Sequence, residues 1–121
     1  MTMQAGKKLD EAVAALVMGF TVEHGTTHVD GRELPWTVFR NGSTTHNPIP
    51  YSTDLLAAME VEARLWGFGW AARFIRLADG RWWAEFAKRG SFWTEYAIAD
   101  TLPLAICRAA LAAVSPTDKQ E

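Results

Sequence analysis

Apolar residues recur at helical spacing near the start of the chain, with charged residues between them. The apolar set is Leu9, Val13, Leu16, Val17 and Phe20, and the charged set is Lys7, Lys8, Asp10 and Glu11. This spacing places one apolar stripe along a helix and leaves the charges elsewhere around its axis. The pattern predicts a first amphipathic helix that Gly19 stops.

A second helix is predicted after the string Pro50-Tyr51-Ser52-Thr53-Asp54. Ser52 or Thr53 can accept hydrogen bonds from the free amides of a helix start, and Asp54 suits the positive end of the helix dipole. The predicted apolar face ends at Gly67 and consists of Leu55, Leu56, Met59, Ala63 and Trp66.

A third helix is predicted to begin at Asp100 or Thr101, with Pro103 tolerated because first-turn amides have no partner inside the helix. Its predicted buried stripe is Ile106, Cys107, Ala110, Leu111 and Val114. The lone Cys107 lies on this stripe, so a buried, inert thiol is favoured over a nucleophile.

Two runs rich in strand-forming residues, 70–77 and 81–88, flank Ala78-Asp79-Gly80. This pattern predicts a hairpin with a type I′ turn at Asp79-Gly80, and a third strand over residues 92–97. The segment 21–47 holds further turn signals and predicts only short, irregular strands. Together these elements predict an α+β fold in which an antiparallel sheet of three or more strands is layered with three helices.

Composition narrows the class of protein further. A length of 121 residues with 49% hydrophobic residues suits a single domain over residues 1–121, with frayed tails at 1–6 and 115–121. A net charge of -2 disfavours general nucleic-acid binding and attraction to an anionic membrane. One cysteine, no secretion signal and no long apolar run predict a cytoplasmic protein.

Three strings carry a resemblance to a known family. They are an opening helix that ends Val17-Met18-Gly19, the Pro50-Tyr51-Ser52-Thr53-Asp54 turn, and residues 99–111. Together they resemble the phage ABA-sandwich domain of small tailed-phage and prophage proteins. The resemblance implies helix, sheet and helix layering, a phage or prophage origin, and no enzymatic activity, so the expected location is the cytoplasm of the infected or lysogenic bacterial host.

Aromatic and arginine residues are the candidates for ligand binding. Core packing is expected to take about four of the six tryptophans, which leaves Trp36 and Trp93 as exposed candidates for stacking or for an oligomer contact. Arg73, Arg81 and Arg89 could bind phosphate, although solvated surface charge is the plainer interpretation of most arginines here.

Tyr51, Ser52 and Thr53 complete the candidate ligand-binding set, because a helix start offers amides and hydroxyls to an anion. Asp54 would repel such an anion, so a plain helix cap competes with the anion site. His24 and His28 have metal-like spacing only on a helix, which Gly25 and Thr26-Thr27 disfavour. No metal, cofactor or catalytic residue is therefore expected.

Two classes of function remain open. The first is a non-catalytic phage accessory protein that binds a small ligand or a host partner; a nucleotide-type immune signal that it sequesters is the sharpest version. The second is a homo-oligomeric interaction module without a ligand, in which Trp36 or Trp93 forms the contact between subunits.

Overall fold

The computed structural model describes residues 3–115, so residues 1–2 and 116–121 of the expected frayed tails lie outside the described residues. The elements in chain order are α1 (Lys7–Leu16), β1 (Thr21–Val29), β2 (Arg32–Asn41), β3 (Thr44–His46), α2 (Leu55–Gly67), β4 (Trp70–Arg76), β5 (Trp82–Lys88), β6 (Thr94–Ala99) and α3 (Leu102–Val114). The predicted α+β class with three helices is confirmed for the described part of the chain.

The strands form two antiparallel sheets, ordered β1-β2-β3 and β4-β5-β6. The expectation of short, irregular strands over 21–47 is wrong, because β1 and β2 pair without a break from Thr21↔Arg40 to Val29↔Arg32. The turn between them explains this regularity. Asp30 and Gly31 both have positive φ, at 52° and 78°, as a type I′ turn requires.

The predicted type I′ turn at Asp79-Gly80 is also wrong. Gly80 has a φ of 91°, but Asp79 is not in the positive-φ region. The Gly80 amide donates to the Leu77 carbonyl at 2.9 Å, and the Leu77 amide donates to the Arg81 carbonyl at 2.8 Å. These bonds close a three-residue loop in which a left-handed glycine follows a type I turn.

The central element of the core is α3, which packs against β5 and β6 and also against α1 and α2. Its fully buried side chains include Ile106, Cys107, Ala109 and Ala110. The Thr101 hydroxyl accepts a hydrogen bond from the Leu104 amide at 3.4 Å, so the predicted start of this helix is confirmed. Its alanines let neighbouring elements approach closely.

The predicted apolar face of α2 is wrong. The buried side is Ala57, Ala58, Val61 and Leu65, whereas Leu56 and Trp66 are 80% and 51% exposed. This helix is apolar over most of its circumference, so periodicity alone could not select the side that packs. Its cap is Asp54, whose Oδ1 accepts from the Leu56 amide at 3.0 Å.

Fewer tryptophans are buried than expected. All six lie in the described part of the chain, and of these Trp70 is buried. Trp82 and Trp83 are half-buried. Trp36 and Trp93 are exposed, as predicted, and Trp66 is exposed as well.

Candidate functional site

Trp36 lies on β2 directly opposite Gly25 of β1. Its indole covers the glycine so closely that a Cβ atom at position 25 would lie 2.2 Å from the Trp36 Cζ2 atom. Gly25 therefore provides the space that holds the ring against the sheet. Trp36 remains 42% exposed and forms part of the wall of a concave surface.

This concave surface, here called the Trp36 groove, has a volume of about 550 Å³. It is lined by Lys7, Asp10, Glu11, Pro35, Trp36, Thr37, Phe39, Pro48, Ile49 and Pro50. Most of these side chains are apolar, and three are prolines, whose fixed φ stiffens the walls. The volume lies within the range of about 300–1,000 Å³ that is usual for small-molecule sites.

Polar groups converge on one side of the Trp36 groove. Glu11 Oε1 lies 3.2 Å from His24 Nε2, and His24 Nδ1 lies 2.9 Å from the Thr37 hydroxyl. Glu11 Oε2 is buried and has no hydrogen-bond partner among the described residues. Buried carboxylate oxygens are normally hydrogen-bonded, so this one has unmet accepting capacity.

The charges at the Trp36 groove are mixed. Asp10 and Glu11 contribute two carboxylates, and Lys7 contributes one ammonium group. Asp10 Oδ1 accepts from the Ser52 amide at 2.7 Å, and Glu11 contributes the buried Oε2 atom that has no partner among the described residues. Such a wall favours a hydrogen-bond donor or a cation over an anion.

The two histidines that prompted the metal hypothesis lie on a strand. Four residues along a strand span about 13 Å, too far for His24 and His28 to share an ion. His28 instead pairs with Glu33 at 3.5 Å. Within residues 3–115, no three histidine, cysteine or acidic side chains are grouped as metal ligands.

The turn before α2 presents little to a ligand. Tyr51 and Ser52 are fully buried, whereas Thr53 is exposed. The Ser52 hydroxyl accepts from the Gly6 amide at 2.9 Å, and so ties the turn to the start of α1. Burial raises the pKa of Tyr51 to about 12, and its hydroxyl has no partner among the described residues.

The predicted arginines are not brought to one place. Arg73 pairs with Glu85 at 3.0 Å on a strand face, and Arg81 pairs with Asp79 at 2.8 Å beside the loop. Hydrogen bonds from the Arg81 backbone and guanidinium hold the pKa of Asp79 below its usual value. Arg89 instead stacks on the Trp66 ring, 4.2 Å from its centre.

Two of the predicted residues, Arg89 and Trp93, do lie in one region. This region, here called the cationic corner, comprises Arg64, Trp66, Phe68, Lys88, Arg89 and Trp93. The Lys88 ammonium donates to the Phe68 carbonyl at 2.8 Å and lies 5.3 Å from the Trp70 ring, which Trp93 meets edge-on at 6.0 Å. Arg64 lies 4.9 Å from the centre of the Phe68 ring.

The three cations of the cationic corner share a property with most lysines and arginines in the described part of the chain. Among the described residues, none of Arg64, Lys88 and Arg89 forms an ion pair with a carboxylate. Arg89 donates to the Trp66 carbonyl in the last turn of α2, and Lys88 donates to the carbonyl of Phe68, which caps this end, where a cation offsets the negative end of the helix dipole.

Sequence reasoning missed Arg64, Trp66, Phe68 and Lys88 as members of this corner, and Glu11 as a member of the groove. Gly67-Phe68-Gly69 was interpretable only as a helix stop, and Trp66 was assigned to the predicted buried face of α2. Glu11 belonged to the charged side of the first helix. Nothing local in the sequence reports that these side chains meet residues from distant segments.

Comparison with known proteins places the chain in one family. No curated protein and no solved structure matches it. Among the described residues, no helix is both long and apolar enough to cross a membrane. The model of the family described as the Phage ABA sandwich domain matches residues 11–111, which extend from α1 into α3 and include the Pro50-Tyr51-Ser52-Thr53-Asp54 turn. The chain belongs to the phage ABA sandwich domain family.

Proposed function

We propose that this phage protein is a non-catalytic binding protein whose Trp36 groove captures a cationic, partly apolar group of a small ligand or host partner. The observation that carries the proposal is that an exposed tryptophan, Trp36, and a carboxylate, Glu11, line the same groove, and that Glu11 Oε2 has no partner among the described residues. Both residues line one groove of about 550 Å³.

The two groups recognise the same chemistry. The face of an indole attracts a guanidinium or ammonium group, by about 0.5–2 kcal/mol depending on how far the cation is desolvated. Glu11 would accept a hydrogen bond from that group, and the prolines and Ile49 would contact the apolar part of the ligand. An arginine side chain has this combination of planar cation and apolar stem.

A nucleotide-type ligand, the sharper hypothesis from the sequence, has its support at the cationic corner. Phosphate at the Trp36 groove would meet Asp10 and Glu11, which repel it. Arg64, Lys88 and Arg89 instead lie among aromatic rings without carboxylate partners in the described part of the chain. Sequestration of such a ligand is the second candidate function.

The test uses the six indole N–H signals in a proton–nitrogen NMR spectrum, with Trp36 assigned by its loss in Trp36→Phe. N-acetyl-arginine amide is titrated against the matched citrulline compound, which has nearly the same shape but no charge. We expect the arginine compound alone to shift the Trp36 signal, and Glu11→Gln to weaken binding by about tenfold, as the loss of one charged hydrogen bond predicts.

Glu33→Gln is the control, because Glu33 is an exposed acid on the same hairpin that does not line the groove. Equal shifts with both compounds, or none with either, would refute the groove as a cation site.

AMP is the probe for the second candidate function and should shift the indole N–H signals of Trp66 and Trp93 while remaining chemically intact. Conversion of AMP, followed by phosphorus NMR, would contradict a non-catalytic role.

A further inference from the structure

Helix α2 has a second apolar side that the described fold leaves exposed. Its residues are Leu56, Met59, Ala63 and Trp66, which are spaced by three, four and three positions. This is the a/d spacing of a two-stranded coiled coil. Leu56 is 80% exposed, Met59 37% and Trp66 51%, so the stripe faces solvent along almost the whole helix.

The opposite side of α2 already makes the contacts that the fold needs. Ala57, Ala58, Val61 and Leu65 are buried, and the helix packs against α3 and β4. A surface helix normally has one apolar stripe and a polar face opposite it. Here the outer stripe is apolar too, bordered by Glu60 on one flank and Glu62 on the other. An apolar stripe with a polar border is the arrangement of a protein interface.

The order of side chains along the stripe fits an antiparallel pairing of two identical helices. Positions 56 and 66 are symmetric about position 61, and so are positions 59 and 63. One twofold axis at that level would therefore place Leu56 against the partner's Trp66 and Met59 against the partner's Ala63. The largest side chain near the centre then meets the smallest, as close packing requires.

A parallel pairing fits the same residues poorly. It would place Ala63 against its own copy and leave a gap, while the two Trp66 rings would compete for one space. The sizes of the side chains thus favour the antiparallel arrangement.

The available area matches a weak dimer. The exposed apolar surface of the stripe, with Leu55 beside it, amounts to roughly 400–500 Å² per protomer, against about 800 Å² per partner in a standard interface with its polar rim. We infer that the protein forms an antiparallel homodimer through the outer face of α2. This contact differs from Trp36 and Trp93, which the sequence suggested. It does not depend on the Trp36 groove, and it shares Trp66 with the cationic corner.

Sedimentation over a range of micromolar concentrations tests whether the dimer forms. We expect a concentration-dependent dimer, and we expect Ala63→Glu to raise its dissociation constant by at least about tenfold by inserting a charge at the centre of the contact. Leu16→Glu is the control, because Leu16 is a 65% exposed leucine on α1. Circular dichroism establishes that both variants fold.

Cross-linking tests the orientation. In a Cys107→Ala background, Met59→Cys and Ala63→Cys variants are mixed and oxidised. An antiparallel pair gives mainly the mixed disulfide, whereas a parallel pair gives the two homodimeric ones. A wild-type protein that stays monomeric at high micromolar concentration would overturn the inference, as would homodimeric disulfides or a dimer unaffected by Ala63→Glu.

Discussion

The Asp10 carboxylate accepts a 2.7 Å hydrogen bond from the backbone amide of Ser52, 42 positions later in the chain. The Ser52 hydroxyl accepts in turn from the Gly6 amide at 2.9 Å. Both residues are buried, with Asp10 9% exposed and Ser52 fully enclosed. These two bonds join the start of α1 to the turn that precedes α2.

Replacing Asp10 by alanine should lower the free energy of unfolding by about 2–3 kcal/mol, because a buried amide would lose a charged acceptor. Urea denaturation measures the change. Glu33→Ala is the control, since its pair with His28 is exposed and such pairs contribute little. An Asp10→Ala variant as stable as this control would show that the bond does not contribute to stability.

Asp10 also illustrates what local pattern cannot report. Its position between Leu9 and Glu11 placed it on the charged side of the predicted first helix, yet it is buried by a turn far away in sequence. The signals that predicted correctly, such as the Thr101 cap with Pro103, act within a few residues. The wrong face assigned to α2 has the same origin, because the choice between Leu56 and Val61 depends on where α3 packs.

Gly25→Ala should disturb the Trp36 groove more than it disturbs folding. The new Cβ would lie 2.2 Å from Trp36 Cζ2, so the indole must move away from the sheet. The ring can move because it is partly exposed. The free energy of unfolding should therefore fall by only about 1 kcal/mol, at the low end for overpacking.

The Trp36 indole N–H signal should shift in Gly25→Ala, and binding of N-acetyl-arginine amide should weaken. Gly67→Ala is the matched control, since a Cβ there would meet nothing within 4 Å. An unchanged Trp36 signal in Gly25→Ala would contradict the close contact between the glycine and the ring.

Gly80 should tolerate asparagine better than valine. Its φ of 91° is in the left-handed region, and nothing lies within 4 Å of a Cβ built there. A side chain at this position therefore costs stability through the strained backbone conformation and not through contacts with other residues. Gly80→Val should lose about 1–2 kcal/mol in thermal or urea unfolding, and Gly80→Asn clearly less. Ala78→Val, in the same loop without a positive φ, should lose little, and equal losses in all three would argue against the turn.

Of the candidate site, only the exposed tryptophans were predictable, because the composition indicates that some tryptophans are exposed. Six tryptophans exceed what a small core can hide, which correctly indicated that Trp36 and Trp93 are exposed. The groove itself is lined by residues of α1, β2 and residues 48–50. No residue spacing in the sequence predicts that these three segments lie together. The turn Pro50-Tyr51-Ser52-Thr53-Asp54 was misleading for the same reason, since the Ser52 hydroxyl accepts from the amide of Gly6, just before α1, instead of capping α2.

Alkaline pH should destabilise the fold through Tyr51 and Cys107. Burial raises the pKa of Tyr51 from 10.0 to about 12 and the pKa of Cys107 from 9.0 to about 12. The unfolded chain therefore loses these protons at lower pH than the folded chain does. The free energy of unfolding should fall as pH rises from about 9 to about 12. Below that window neither group makes the free energy of unfolding depend on pH.

Tyr51→Phe separates the two groups. The Tyr51 hydroxyl is buried without a partner among the described residues, so its removal should leave stability at neutral pH unchanged or raised, and should flatten the alkaline decline. Tyr96→Phe is the matched control, because it removes a hydroxyl from a tyrosine that is 55% exposed. Urea unfolding at neutral pH and at several pH values above about 9 measures both effects. A Tyr51→Phe variant that is less stable at neutral pH, with an unchanged alkaline slope, would show that the hydroxyl is hydrogen-bonded and ionises at its ordinary pKa.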